Sequence, residues 1–302
     1  MLGNTNYEAI VIGGSYAGLS AAMSLGRLMR RTLVIDSGKP CNASTPHSHN
    51  FLTQDGKTPG EISQIGRAQV EKYDTVTFRE DFVVSADKTE NGFEVKTLSG
   101  TVFNGKKLIF ATGVRDVMPD IEGFADCWGI SVIHCPYCHG YEYRSKKTAV
   151  FANGPTAVHL AALLKSLTRE VIVLTNGTPE FSAEEKETLE KLSVDIIASG
   201  IDYIKHENGH LDRIVFKDNT ELICEVMYAR IPFIQHSEIP KLLGCTLTEQ
   251  GHIETDKLQK TTVPDIFACG DATSPMRSVA NAVAAGNLTG AMVNKELAEA
   301  EM

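Results

Sequence analysis

Residues 8 to 37 read EAIVIGGSYAGLSAAMSLGRLMRRTLVIDS, and the fold follows from them. Glu8 to Ile12 is a short apolar run closed by Gly13 and Gly14, the pattern of a buried strand entering a tight turn. An apolar helix follows, then a second strand ending at Asp36, so one βαβ unit fits within about 30 residues. Such a unit sets an anionic pyrophosphate on the helix N-terminus, where free N–H groups and the helix dipole favour negative charge. Gly13, Gly14 and Gly18 suit the turn and close helix–strand packing, and Asp36 stands where a carboxylate accepts both ribose hydroxyls. Ser15 takes the place of the second glycine of G-x-G-x-x-G, and its small side chain can still meet a phosphate. The alternative is a glycine turn in an α/β domain that holds no nucleotide.

Working outward, KKLIFATGVRDVMP (residues 106–119) is a strand ending in Ala111-Thr112-Gly113, small residues that let a chain cross closely over a bound cofactor. TTVPDIFACGDATSPMRSVANAVAAG (residues 261–286) gives a strand, Gly270-Asp271 and a long helix of small residues. Between them lies HCPYCH, residues 134–139. A C-x-x-C-H spacing is compatible with haem attachment, half of a zinc site or a reversible dithiol. Haem attachment follows export, and the start MLGNTNYEAIVIGG reads as a first strand and not as a signal peptide. Zinc would want a second pair of ligands, and His134 and His139 stand too near in sequence to complete a tetrahedron, so no metal is expected. A redox dithiol is the reading that remains.

The chain has 302 residues, enough for about two domains, and 42% of them are hydrophobic. A net charge of -9 without a basic block excludes a nucleic-acid footprint, and no apolar run is long enough for a membrane helix. The seven cysteines are scattered apart from one pair, unlike a secreted disulfide framework, so a soluble cytoplasmic protein is expected.

A dinucleotide turn at the start, an ATG strand, a C-x-x-C pair and a late GD motif, in that order, resemble the low-molecular-weight thioredoxin reductase family over nearly the whole chain. The resemblance implies an α/β fold of two Rossmann-like domains of the three-layer ββα kind, the second inserted in the first. The FAD domain would be residues 1–115 and 241–302, and residues 116–240 an NAD(P)-type domain carrying the cysteines. FAD is the implied cofactor. Ala17, Val83, Ala111, Thr112 and Gly113 would pass near it, Asp36 would hold its adenosine ribose, and Gly270 and Asp271 its ribityl or pyrophosphate portion. Arg277 and Ser278 would open a helix aimed at the flavin pyrimidine ring. Asn50, in PHSHNFLTQDG (residues 46–56), would approach the isoalloxazine, or else is a loop residue bonding its own backbone; His47 and His49 read as loop or surface residues.

Cys135 before Pro136 reads as a helix start, a place that favours the thiolate. By resemblance Cys135 exchanges with the substrate and Cys138 faces the flavin. The family's usual residue after the second cysteine is aspartate; here His139 stands in its place and can serve as acid or base, or be a plain helix residue. Family members use NADPH through a G-x-G-x-x-A turn and a basic cluster for the 2′-phosphate. KKTAVFANGPTAVHLAALLKSLTREVIVLTNGTPEFS (residues 146–182) keeps strand, turn, helix and strand, but only Gly154 remains in the turn, and Thr175-Asn176-Gly177 stands where the arginines belong. Weak NADPH use, or none, is therefore expected.

The C-P-x-C-H-G-Y core and the PHxHNFL stretch resemble a branch that includes dithiol oxidases and reductase-like proteins without NADPH motifs. Three readings stay open: a thioredoxin reductase-like enzyme acting on a thioredoxin-like protein or small disulfide, a dithiol oxidase with O2 as acceptor, and a non-catalytic flavin redox sensor. A ferredoxin is another possible electron partner, and a homodimer is the family's usual state.

Overall fold

The computed structural model describes residues 5–302; the first four residues of the expected FAD domain lie outside them. The chain forms two compact units. One comprises the chain up to Ala43, Phe51–Arg115 and Phe233–Met302; the other comprises Ser44–Asn50 and Asp116–Pro232. The observed return is thus at 232/233, where the sequence reading put 240/241, and residues 44–50 leave the first unit for the second. A contact at Gly129 is one reason: this residue has φ +83, and a Cβ there would meet the Ser44 and Thr45 side chains.

The first unit opens with β1 (Asn6–Ile12), α1 (Tyr16–Arg27), β2 (Thr32–Asp36), α2 (Pro59–Val70), β3 (Val76–Glu80), β4 (Val83–Thr89), β5 (Gly92–Thr97), β6 (Val102–Phe110) and β7 (Val114–Asp116). The second unit holds α3 (Phe124–Cys127), β8 (Val132–Ile133), α4 (Pro136–His139), β9 (Thr148–Phe151), α5 (Gly154–Leu164), β10 (Val171–Leu174) and α6 (Ala183–Lys191). It continues with β11 (Asp195–Ile197), β12 (Ile201–Glu207), β13 (His210–Phe216), β14 (Glu221–Ile223) and β15 (Val226–Ala229). The chain then returns through β16 (Phe233–Gln235), α7 (Ile239–Leu242), β17 (Ile266–Ala268), a 3-10 turn at Gly270–Ala272 and α8 (Val279–Glu299).

The sheet of the first unit runs β3-β2-β1-β6-β5-β4, with β17 also on β6. Its β1, β2, β3, β6 and β17 are parallel, and β4 and β5 add an antiparallel hairpin. Parallel strands covered on both faces are apolar throughout. Accordingly Ala9 and Val11 enter one core, with the helix residues Leu19, Ala22 and Leu25, while Ile10 and Ile12 enter another, with Phe93, Val95 and Phe103. Chain order leads from β1 outward through β2 to β3 and returns to β6 on the other side of β1. That reversal is a topological switch point, where the carboxyl ends of the strands leave a crevice. Ile12 pairs with both Ile35 and Phe110, and Phe110 with Ala268, so the segments that follow these strands emerge side by side.

Helices α1 and α8 meet backbone to backbone. A Cβ on Gly286 would overlap the Ala17 carbonyl and one on Gly290 the Ala21 carbonyl, which explains the small residues of this helix. Ser20 Oγ donates to the Val283 carbonyl at 2.7 Å across the same seam.

The second unit has a parallel sheet β11-β10-β9-β15-β8 and an antiparallel meander β12-β13-β14. Its switch point lies between β9 and β15, and the turn after β9 and the chain after β8 both leave the carboxyl edge. Residues 210–230 read as strand, loop and strand. They are in fact three strands, because the chain quits the meander at Cys224 and enters the parallel sheet, where Val226–Ala229 is wholly buried.

Candidate active site

At the carboxyl edge of the first sheet, Gly13 adopts φ +104, and a Cβ there would overlap the Ala111 carbonyl. Only glycine lets the turn after β1 lie against the end of β6. A Cβ on Gly14 would press on the Asp36 side chain at 2.8 Å, and one on Gly18 would strike the Gly13 carbonyl. Asp36 is held in place by this turn, accepting the Gly14 N–H at 2.9 Å and the Gly38 N–H at 3.3 Å. Ser15 is the N-cap of α1 but its side chain caps nothing, and no acidic residue stands in the first turn. The first N–H groups of a helix have no intrahelical partner, so this N-terminus offers donors to an anion.

Two further segments line the same edge. Thr112 Oγ1 is buried without a hydrogen-bond partner, between Ala111 and Gly113, which has φ +65. After β17, Gly270 has φ +76, and a Cβ there would lie 2.9 Å from that of Ala17. Arg277 Nε lies 3.6 Å from the Asp271 carboxylate, and the Cys41 thiol lies 3.8 Å from it. Ser278 is the N-cap of α8, its Oγ accepting the Asn281 N–H at 3.2 Å. Val83 starts β4 and is buried in the core on the other sheet face. A cradle shaped by glycines, an uncapped helix start and an orphaned buried hydroxyl suit FAD. Asn50 has φ +58 and belongs to the second unit.

In the second unit Cys135 and Cys138 are disulfide-bonded, with Cα atoms 5.3 Å apart. Cys135 is the extended N-cap of α4, and Pro136 fills the first helical position, where its missing N–H costs nothing. The N–H groups of Cys138 and His139 both donate to the Cys135 carbonyl at 3.2 Å. Tyr137, between the cysteines, is 68% exposed. The other thiols differ in character. Burial pushes Cys127 up to about 11 and Cys224 and Cys269 up to about 12, which withholds their thiolates at neutral pH.

His139 carries both ring nitrogens buried, with the His47 backbone beside the ring. Burial lowers its pKa, the nearby His49 lowers it further, and the His47 backbone and Glu142 oppose this. The His49 ring stands edge-on to His139, centroids 6.2 Å apart, and its Nε2 lies 3.6 Å from Glu142. His49 reads as a loop residue in the sequence, and no local pattern brings residue 49 to residue 139.

The turn after β9 shows what replaced the dinucleotide motif. Asn153 caps α5 with its own side chain: Oδ1 accepts the N–H groups of Gly154 and Glu180, each at 2.9 Å, and Nδ2 donates to the Thr178 carbonyl at 2.9 Å. Pro155 has no N–H to offer. The first two donor positions of this helix are thus closed to an anion. At the end of β10, Thr175 donates to the Gly177 carbonyl and Asn176 accepts the Ile201 N–H, so both side chains are engaged in the fold.

Residues 7–286 match the family described as pyridine nucleotide-disulphide oxidoreductase. The chain belongs to that family. It is 33% identical over 301 residues to a protein of Claviceps purpurea named thioredoxin reductase tcpT, covering 96% of this chain and 94% of that one. It is 31% identical to thioredoxin reductase aclD of Aspergillus oryzae, over 97% of this chain and 96% of that one. Among solved structures, an oxidoreductase from Agrobacterium tumefaciens superposes with a TM-score of 0.91 at 37% identity, over 97% of this chain and 99% of that one. This pyridine nucleotide-disulphide oxidoreductase is therefore a thioredoxin reductase-like enzyme of two Rossmann-type α/β domains, using FAD in thiol–disulfide exchange. Among the described residues, no helix of the oxidoreductase is long and apolar enough to cross a membrane, and no cluster of three His, Cys, Asp or Glu is placed to hold a metal.

Proposed function

We propose that the enzyme oxidises a dithiol, either a small molecule or a thioredoxin-like protein, to a disulfide through Cys135 and Cys138. The carrying observation is the self-capped α5. With its first N–H spent on Asn153, a proline next, and no cation from Thr175 to Glu180, the second unit offers NADPH neither a pyrophosphate seat nor a 2′-phosphate partner.

The chemistry then begins at the substrate thiol. It yields its proton to His139, and its sulfur bonds to Cys135 Sγ while the Cys135–Cys138 bond breaks and leaves the electron pair on Cys138 Sγ. The second substrate thiol, deprotonated in turn, attacks the sulfur joined to Cys135. The substrate disulfide closes and Cys135 departs as a thiolate. Two electrons and two protons have left the substrate. Tyr137 is exposed and both cysteines are half-buried, and the position of Cys135 at the N-cap of α4 suits it to the substrate's attack.

FAD, when bound, would supply a two-electron route from the reduced cysteines to dioxygen, which takes up two protons from solvent, matching the two the substrate released, to give hydrogen peroxide as the disulfide reforms. To hold it, the start of α1 with Gly13, Gly14, Ser15, Ala17 and Gly18 would take the pyrophosphate. Asp36 would take the ribose, Asp271 the ribityl chain, and the start of α8 at Arg277 and Ser278 the pyrimidine end. Ala111, Thr112 and Gly113 would cross it. The relatives' name supports a second direction, reduction of a thioredoxin-like protein, which would need a donor such as a ferredoxin. A cytoplasmic homodimer completes the reading on family resemblance alone.

Anaerobic mixing of FAD-loaded protein with dithiothreitol tests the assignment. The wild type should bleach, and Cys135→Ser and Cys138→Ser should each slow bleaching by about a thousandfold or more, the scale of losing a nucleophile. Bleaching of either variant at the wild-type rate would place the dithiol chemistry elsewhere.

A further inference from the structure

Oxidation of one dithiol releases two protons, and in the steps above His139 is the base placed to take them in succession. His139 adjoins Cys138, yet both of its ring nitrogens are buried, with the His47 backbone close beside the ring. A base so enclosed can accept the first proton but must discharge it before accepting the second. The surroundings supply an outward course. The His49 ring stands 6.2 Å from His139, nearly perpendicular to it, with its side chain 20% exposed. Its Nε2 lies 3.6 Å from Glu142 Oε1, and the Glu142 side chain is 35% exposed. The His139 ring nitrogens are buried, whereas the His49 and Glu142 side chains reach solvent, Glu142 more than His49.

We propose that His49 and Glu142 form the proton exit of His139. This rests on the dithiol reading above. The proton taken from a substrate thiol passes from the His139 imidazole to His49, across a bridging water or by rotation of the ring. It moves next to the Glu142 carboxylate and then to solvent. No electrons move along this course, and His139 returns to its neutral form ready for the second thiol. Other groups facing this chain of three include the His47 backbone beside His139, the His47 ring 6.5 Å from His49, the Tyr143 hydroxyl near Glu142, and the Tyr228 hydroxyl, which donates to the His139 carbonyl at 3.4 Å. The tyrosines are engaged elsewhere: the Tyr143 hydroxyl donates to the Ile130 carbonyl, and Tyr228 is buried with its hydroxyl on a carbonyl.

Both residues are positioned to act through His139, so the test must separate proton movement from structural support. Anaerobic rapid mixing with dithiothreitol would follow flavin bleaching in dilute buffer and with rising imidazole, for the wild type, His49→Gln and Glu142→Gln. Both variants should bleach about tenfold or more slowly in dilute buffer and recover most of the wild-type rate as imidazole rises, because a soluble base replaces the lost carrier. The wild type should not respond to imidazole. Variants at the wild-type rate, or slow at every imidazole concentration, would overturn the proton exit while leaving the dithiol assignment standing. A wild type that dithiothreitol does not bleach would overturn both. Flavin content, measured on each variant, separates loss of folding from loss of proton movement.

Discussion

At the scale of single residues, His139 and His252 show how burial sets protonation. A neutral imidazole is the base form, and burial lowers the His139 pKa, so the base persists below the ordinary histidine value of about 6.5. The rate of flavin bleaching by a dithiol should therefore rise with pH through a midpoint below about 6.5, with a separate rise near 8.5 from the substrate thiol. His139→Gln should erase the first inflection and slow the reaction by about 10²- to 10⁴-fold. An unchanged inflection in the variant would assign it to another group. His252 is 4% exposed, packs its ring 4.7 Å from Phe233, and has its pKa lowered by burial and by Arg277. For both histidines the unfolded chain binds the proton more readily than the folded one. Stability is then full above about 6.5 and declines as pH falls from there toward the lower folded value. Denaturant midpoints between pH 7.5 and 5.5 should show that decline, with a shallower slope in His252→Phe; equal slopes would remove His252 from the account. Local sequence gave the identity of these residues but not their surroundings: His49 meets Glu142 and Asn153 meets Glu180 only because the fold joins distant turns.

At the scale of elements, the βαβ unit was legible because its chemistry is local. Glycines at residues 13, 14 and 18, an apolar strand on each side and an aspartate at the second strand end leave few alternatives. The α8 helix was legible for a related reason, since a long run of alanine and glycine suits only a helix that meets another closely. Gly286→Val tests that contact. Its side chain would collide with the Ala17 backbone, which cannot move without displacing the start of α1, and the cost should reach about 3 kcal/mol, the upper end of overpacking. Chemical denaturation should show the loss together with weakened FAD retention, whereas an unaffected midpoint would mean the two helices separate easily. The stretch from His210 to Ala229 was less legible. Alternation predicts strands, but nothing in it marks Cys224 as the point of transfer between sheets. Likewise, departure from a glycine motif announced a changed turn after β9, and only the structure shows that Asn153 occupies the donors itself.

At the scale of the molecule, the discontinuous plan follows from placing the first-domain motifs at both chain ends. The boundaries do not follow, because residues 44–50 join the second unit through contacts with sequence far downstream. The two units repeat one architecture with different consequences. In the first, the helix start after β1 is left open by Ser15; in the second, the helix start after β9 is closed by Asn153. An enzyme so built should receive electrons at its cysteines and not at its second nucleotide fold. The direct measurement is an anaerobic titration of the FAD-loaded protein, first with NADPH and then with dithiothreitol, followed by admission of air. No bleaching by NADPH, full bleaching by dithiothreitol and recovery of the oxidised spectrum in air with hydrogen peroxide is the predicted result. Rapid, stoichiometric bleaching by NADPH would contradict it, showing that the second unit opens to a dinucleotide despite the Asn153 cap.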